Sequence, residues 1–180
     1  VLFYPKKVLD DPQRTTPTDL VQIITYSIFT QGSQVFVSTI SQNDSLKGQK
    51  LGKTLTVGWG GHISSEYHDD LVNNGHKPNP YLLLHDAHGR ELGQEVEMRE
   101  MYHSNIPLGW LYLPKEEDGI SADHIAHVSM VHMPGKDSLV VQPGELGKSE
   151  NPRWMTLEEI KTETLAPWSR VLVPILEKQS

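Results

Sequence analysis

Apolar, β-rich runs separated by short polar segments mark the first part of the chain. Residues 21–29 (VQIITYSIF) and 35–40 (VFVSTI) are rich in β-branched and aromatic side chains and flank Gln31-Gly32-Ser33. Two such runs around a short glycine turn predict a hairpin. Residues 41–53 are polar, carry Gly48 and Gly52, and predict a loop. Residues 55–59 predict another short strand, ending at Gly60-Gly61. Asn73-Asn74-Gly75 and Pro78-Asn79-Pro80 are strong breakers, so a loop is expected over about 64–80. The period then changes. Leu83, Ala87, Leu92 and Val96 recur near helical spacing without an intervening proline, which predicts a helix over 81–98. Pro80 stands just ahead of it, where proline is tolerated.

In the second half, residues 106–113 and 124–133 are apolar, β-rich runs separated by the acidic turn 115–119. Residues 139–142 allow a short strand. Thr156-Leu157-Glu158-Glu159 has the capping-box pattern that opens a short helix. Residues 166–178 predict an amphipathic helix that Pro174 is expected to kink. Strands before, between and after the helices point to the α/β class, with a mixed β-sheet covered by helices rather than a pure βαβ array. The length, 180 residues, suits one domain over 20–180 preceded by an irregular arm over 1–19.

Composition narrows the function classes. A formal net charge of -7 argues against a nucleic-acid grip spread over the whole surface, while leaving room for a small basic pocket. The absence of cysteine removes disulfides, thiolate zinc sites and cysteine nucleophiles together. No apolar run approaches the roughly 18 residues of a membrane span. Residues 1–11 lack a basic-then-apolar signal pattern, so a cytoplasmic setting is the default expectation. The chain begins at Val1 without a methionine, which allows for a short leader. Ser64, Ser65 and Ser169 lack a G-x-S-x-G setting. The acidic run Glu116-Glu117-Asp118-Gly119 lacks the ligand spacing of an EF-hand. Nine histidines are many for this length. On a strand His124 and His132 share one face and His127 the other, which suits strand or pocket-lining roles better than a zinc site. Oligomeric state is left open.

Glu91 and Glu95 are four residues apart, which places both carboxylates on one helix face. Gln94 borders that face and His88 extends its polar stripe. Like charges at this spacing cost an isolated helix a few tenths of a kcal/mol. A hard divalent cation between them reverses the sign. By spacing alone the ordinary reading is a solvated acidic face.

The setting of these residues adds to that reading. Gly60-Gly61-His62-Ile63, followed by Arg90-Glu91-Leu92-Gly93-Gln94-Glu95 on the predicted helix, resembles the Nudix box. In that motif a glycine, five residues, a glutamate and seven residues precede Arg-Glu-apolar-x-Glu-Glu-x-Gly-apolar. Gly60 and Glu66 fit the first spacing. Residues 153–160 (RWMTLEEI) are similar to the tryptophan and acidic helix start near the end of many Nudix domains. The chain departs from the pattern in three ways. Twenty-three residues, not seven, separate Glu66 from Arg90, which requires an inserted loop. Gln94 replaces a glutamate. Glu97 replaces the helix-ending glycine, so the helix is expected to run on.

The resemblance implies a Nudix-like mixed β-sheet sandwiched between helices. It also implies a metal-dependent hydrolase that cleaves a diphosphate linkage in a nucleoside diphosphate derivative or related phosphorylated small molecule. Glu91 and Glu95, with Gln94 and the Gly60 carbonyl, would hold Mg²⁺ or Mn²⁺. Gly61 and His62 would meet the phosphates. The general base would come from Glu91, Glu145 or Glu150, and Arg90 would orient a box carboxylate. The alternative it allows is a Nudix-fold nucleotide- or protein-binding module with little or no catalysis, which the neutral Gln94 favours.

Overall fold

Runs of β-branched and aromatic residues build the first strands. The structure, a computed structural model, describes residues 22–44, 49–63, 73, 75, 79–101, 104–113, 124–142 and 149–179. Strands β1 (Gln22–Gln31) and β2 (Gln34–Asp44) form the expected antiparallel hairpin, with Thr30 opposite Val35. Gly32 turns the chain with a φ of +56°, a conformation glycine adopts without steric cost. β3 (Gln49–Thr56) pairs antiparallel with β2, Thr39 opposite Leu55. The loop expected over 41–53 is therefore largely strand. Ladder hydrogen bonds use the backbone, so a polar segment with a partner pairs despite weak strand propensity.

Helix α1 (Pro80–Glu95) follows, then the short strand β4 (Val96–Met98). The helix does not run on through Glu97. Val96 is extended (φ −135°), almost fully buried, and pairs with Val141. A buried strand pairing thus ends the helix where the motif would use glycine. The expected loop over 64–80 lies mostly outside the described residues, as do the arm 1–19 and the acidic turn 115–119. Of the loop, Asn73 is helical and Gly75 sits in a turn with φ +74°.

β5 (Ser104–Tyr112) and β6 (His124–His132) pair antiparallel, and β6 lies parallel to β1 from Gln22–His124 to Thr30–His132. A 3₁₀ turn (Lys136–Ser138) leads into β7 (Leu139–Val141), the partner of β4. β8 (Ser149–Thr156), which the sequence pattern does not announce, runs antiparallel to β2. Its Pro152 falls where the register shifts between Glu150 and Arg153, a position that needs no ladder donor. The larger sheet has the order β3-β2-β1-β6-β5, with β8 also on β2. It is mixed, as expected.

Helices cover both faces. α2 (Leu157–Lys161) opens with the predicted capping box, Thr156 N donating to Glu159 Oε2 at 2.7 Å. α3 (Pro167–Glu177) carries Pro174 on its exposed side and buries Trp168, Leu172, Val173 and Leu176. These pack on Ile28, Val35, Val37, Ala126, Val128 and Met130. On the other face, α1 sets Leu92 against Phe29, Trp59 and Val131, and Leu83 and Ala87 against Ile23 and Ile63. No helix among the described residues is long and apolar enough to cross a membrane.

Candidate functional site

Asn79 starts α1 by accepting from Tyr81 N at 2.9 Å, and Pro80 occupies the first turn, where no amide is required. The apolar residues of the helix then fix which side faces the sheet. Glu91 and Glu95 are half-buried, and one Glu95 oxygen, Oε2, is wholly buried. Arg90 is also half-buried, whereas Gly93 and Gln94 are exposed.

The glycine pair meets this helix directly. Beside β1, Ser27 and Trp59 exchange backbone hydrogen bonds of 2.7 and 2.9 Å, and Thr25 N donates to Gly61 O at 2.9 Å. The Gly61 carbonyl is thus engaged by β1, and Gly60 supplies the other carbonyl of the pair. A Cβ on Gly61 would strike the Glu91 carboxylate. A Cβ on Gly60 would strike the Thr25 carbonyl, and its φ of +144° also favours glycine. Segments thirty residues apart in sequence therefore touch through Gly61 and Glu91 because neither glycine carries a side chain.

His62 and Glu150 have neighbours of their own. His62 bridges to Ile24, and its Nε2 sits 3.1 Å from His124 Nε2. Neighbours in an extended segment point to opposite sides, so His62 turns away from the side on which Gly61 meets Glu91. Glu150 stands opposite Thr39 and is ion-paired with Lys53 of β3. Glu66 and Glu145 lie outside the described residues. Among the described residues no three or more His, Cys, Asp or Glu side chains are arranged to hold a metal, so Glu150 does not complete a set with Glu91 and Glu95.

A second polar cluster lies beneath the first half of α1. His88 Nε2 is 3.3 Å from Ser27 Oγ and 3.4 Å from Ser129 Oγ, hydroxyls carried by adjacent strands and in register. Burial, followed by the fields of His127 and His85, pulls the His88 pKa down from 6.5 to about 4. Burial also lowers that of His127, whose ring meets Trp110 edge-on at 5.0 Å. The sequence marked His88 as an extension of the acidic stripe. The overlooked signal is a serine at a core-facing position in each of two apolar strands. On the other side of the sheet, burial first and the Glu95 charge among lesser causes push the Tyr26 hydroxyl up, while its 3.0 Å contact with Thr56 opposes the shift.

No sequence-family profile matches the chain. No curated protein matches it either. Solved structures do match in shape. A MutT protein from Methanosarcina mazei superposes with a TM-score of 0.58 at 14% identity, over 91% of this chain and 98% of that one. A Nudix hydrolase from Nitrosomonas europaea gives 0.56 at 9% identity, over 88% and 90%. The Nudix domain of a Shewanella oneidensis protein, complexed with ADP ribose, gives 0.55 at 11% identity, over 97% and 96%. The mixed sheet and the flanking helices agree with these neighbours: the chain has the Nudix fold.

Proposed function

We propose that this protein is a divalent-metal-dependent hydrolase of a diphosphate linkage in a nucleoside diphosphate derivative or related phosphorylated small molecule. The observation that carries the reading is the packing of the Glu91 carboxylate against Gly61, with Glu95 one turn further along the same helix. Mg²⁺ is commonly held by one or two carboxylates together with water and substrate phosphates, so two glutamates and a nearby carbonyl fit it without a third protein acid. Glu91, Glu95 and the Gly60 carbonyl are the groups that would hold the ion. When bound, the ion neutralises phosphate charge and makes a bound water more acidic. The chain's own part is placement. Gly61 lets the Glu91 carboxylate pack against the backbone of the glycine pair, and Gly60 lets that backbone pack against β1. Arg90 steadies a box carboxylate, and Glu91, Glu145 or Glu150 accepts the proton from the attacking water. The ADP ribose held by the Shewanella neighbour supports a nucleoside diphosphate derivative as the substrate class.

The second reading is a nucleotide-binding module with little turnover. It is favoured by Gln94 in place of an acid and by the lack, among the described residues, of a third acid grouped with Glu91 and Glu95. A panel of nucleoside diphosphate derivatives, assayed with Mg²⁺ and with chelator, separates the two. Metal-dependent release of a phosphorylated product that Glu91→Gln abolishes supports hydrolysis. Binding without release under every condition refutes it. A cytoplasmic setting and the absence of broad nucleic-acid binding belong to the same proposal.

A further inference from the structure

Between the first half of α1 and strands β5 and β6 lies a cleft of about 180 Å³. Its walls include His88, His127, Ser129, Asn105, Leu84 and Pro107. None of its described lining residues is a lysine, arginine, aspartate or glutamate. The groups there that can take a charge are the imidazoles of His85, His88 and His127, and burial favours the neutral form of the latter two. The cleft offers imidazole, hydroxyl and amide groups between apolar walls, the mixture that recognises a neutral polar ring.

Size and position restrict the ligand further. Small-molecule sites usually enclose roughly 300–1,000 Å³, so this cleft suits one fragment of a ligand rather than the whole. His88 precedes Glu91 by three residues, about 4.5 Å along the helix axis, so the fragment would lie next to the group held at Glu91.

We infer that this cleft is the base-binding subsite of the protein, taking the neutral heterocycle of a nucleotide whose phosphates lie toward Glu91 and Gly61. The inference rests on the proposed reading of the Glu91 site for its orientation, although base binding itself needs no metal and no turnover. His88, kept neutral by its surroundings, has a ring nitrogen available as acceptor or donor according to tautomer. His127 supplies a second imidazole, and Asn105 an amide at the exposed rim.

Calorimetry in chelator, comparing the four nucleoside 5′-monophosphates with ribose 5-phosphate, tests this on the intact chain. At least one nucleotide should bind about tenfold tighter than ribose 5-phosphate, because a polar pocket discriminates against a ligand that lacks its partner groups. His127→Phe keeps a ring against Trp110 but removes the nitrogens. It should erase most of that ratio while leaving ribose 5-phosphate binding unchanged, and Asn105→Ala should reduce the ratio in the same sense. Equal binding of ribose 5-phosphate and every nucleotide by the wild type overturns the proposal, and so does an unchanged ratio in both variants. Asn105 is exposed, so Asn105→Ala keeps the test available if His127→Phe folds poorly. The hydrolase reading fails separately: a preserved nucleotide preference with no Mg²⁺-dependent turnover removes the enzyme and leaves the subsite. Turnover of diphosphates without any base preference removes the subsite and leaves the enzyme.

Discussion

Toward α3, strands β1 and β6 present Ile28, Ala126, Val128 and Met130, and the helix answers with Trp168, Leu172 and Leu176. Toward α1, alternate residues of the same two strands include Thr25, Ser27, His127 and Ser129, and the helix answers with His88, Glu91 and Glu95 as well as Leu92. One backbone thus holds an apolar face and a face with polar groups set into it. The first contributes transfer free energy at about 25 cal/mol per Å² of apolar surface buried. The second loses part of that gain to desolvation, which is accepted where polar groups have chemical work to do.

The comparison is broken most forcefully from the apolar side. Leu172→Ala should lower the unfolding free energy by about 2–5 kcal/mol, the range for removing a buried leucine side chain. Denaturant unfolding measures it, while the turnover of the protein that remains folded should stay near wild type. A small loss of stability with a large loss of turnover would reverse the roles of the two faces.

Acid tests the polar face. The His88 pKa is depressed to about 4 in the folded chain, against 6.5 for an unperturbed histidine. Below pH 6.5 the unfolded state therefore takes up a proton that the folded state refuses. Stability should fall as pH drops from 6.5 toward 4 and level off below, by up to about 3 kcal/mol from this residue. The lowered pKa of His127 acts in the same direction. His88→Asn should flatten the fall in denaturation measured at pH 7 and pH 4.5. An unchanged slope would show that His88 protonates freely in the fold.

Gly61→Val places a side chain where the Glu91 carboxylate lies. Metal-dependent hydrolysis should drop at least about tenfold, equivalent to ~1.4 kcal/mol of transition-state stabilisation. Kinetics with Mg²⁺, alongside a melting curve, separates this from unfolding. Wild-type turnover would detach Gly61 and Glu91 from the chemistry.

The smallest effect is expected at Gln94. Gln94→Glu should destabilise the chain in chelator by a few tenths of a kcal/mol, the scale of a like-charge helix pair. It should have the opposite sign in saturating Mg²⁺ if the added carboxylate reaches the ion. Paired thermal melts read the sign. No difference between the two conditions would place the exposed Gln94 outside the site.

Local pattern was enough for the β1–β2 hairpin, α1, the capping box at Thr156 and the class of the sheet, because each depends on periodicity or on contacts within a few residues. It also placed Glu91 and Glu95 on one helix face. It was not enough for β3 and β8, which are polar or proline-bearing and become strands only because β2 lies alongside. Nor did it end α1 at Glu95, since the pairing of Val96 with Val141 comes from a segment more than forty residues away. The site divides in the same way. Sequence singled out Gly60, Gly61, Glu91 and Glu95, but the contact of Gly61 with Glu91 needed the chain to bring the two segments together. His62 and Glu150 were chosen by proximity in sequence or by family habit, and their contacts with His124 and Lys53 come from strand pairing that no local pattern announces. The His88 cluster was hidden because its partners, Ser27 and Ser129, come from two strands that are distant in sequence and adjacent only through parallel pairing. Periodicity shows which side of an element is buried. Only tertiary packing decides which other residues share that side.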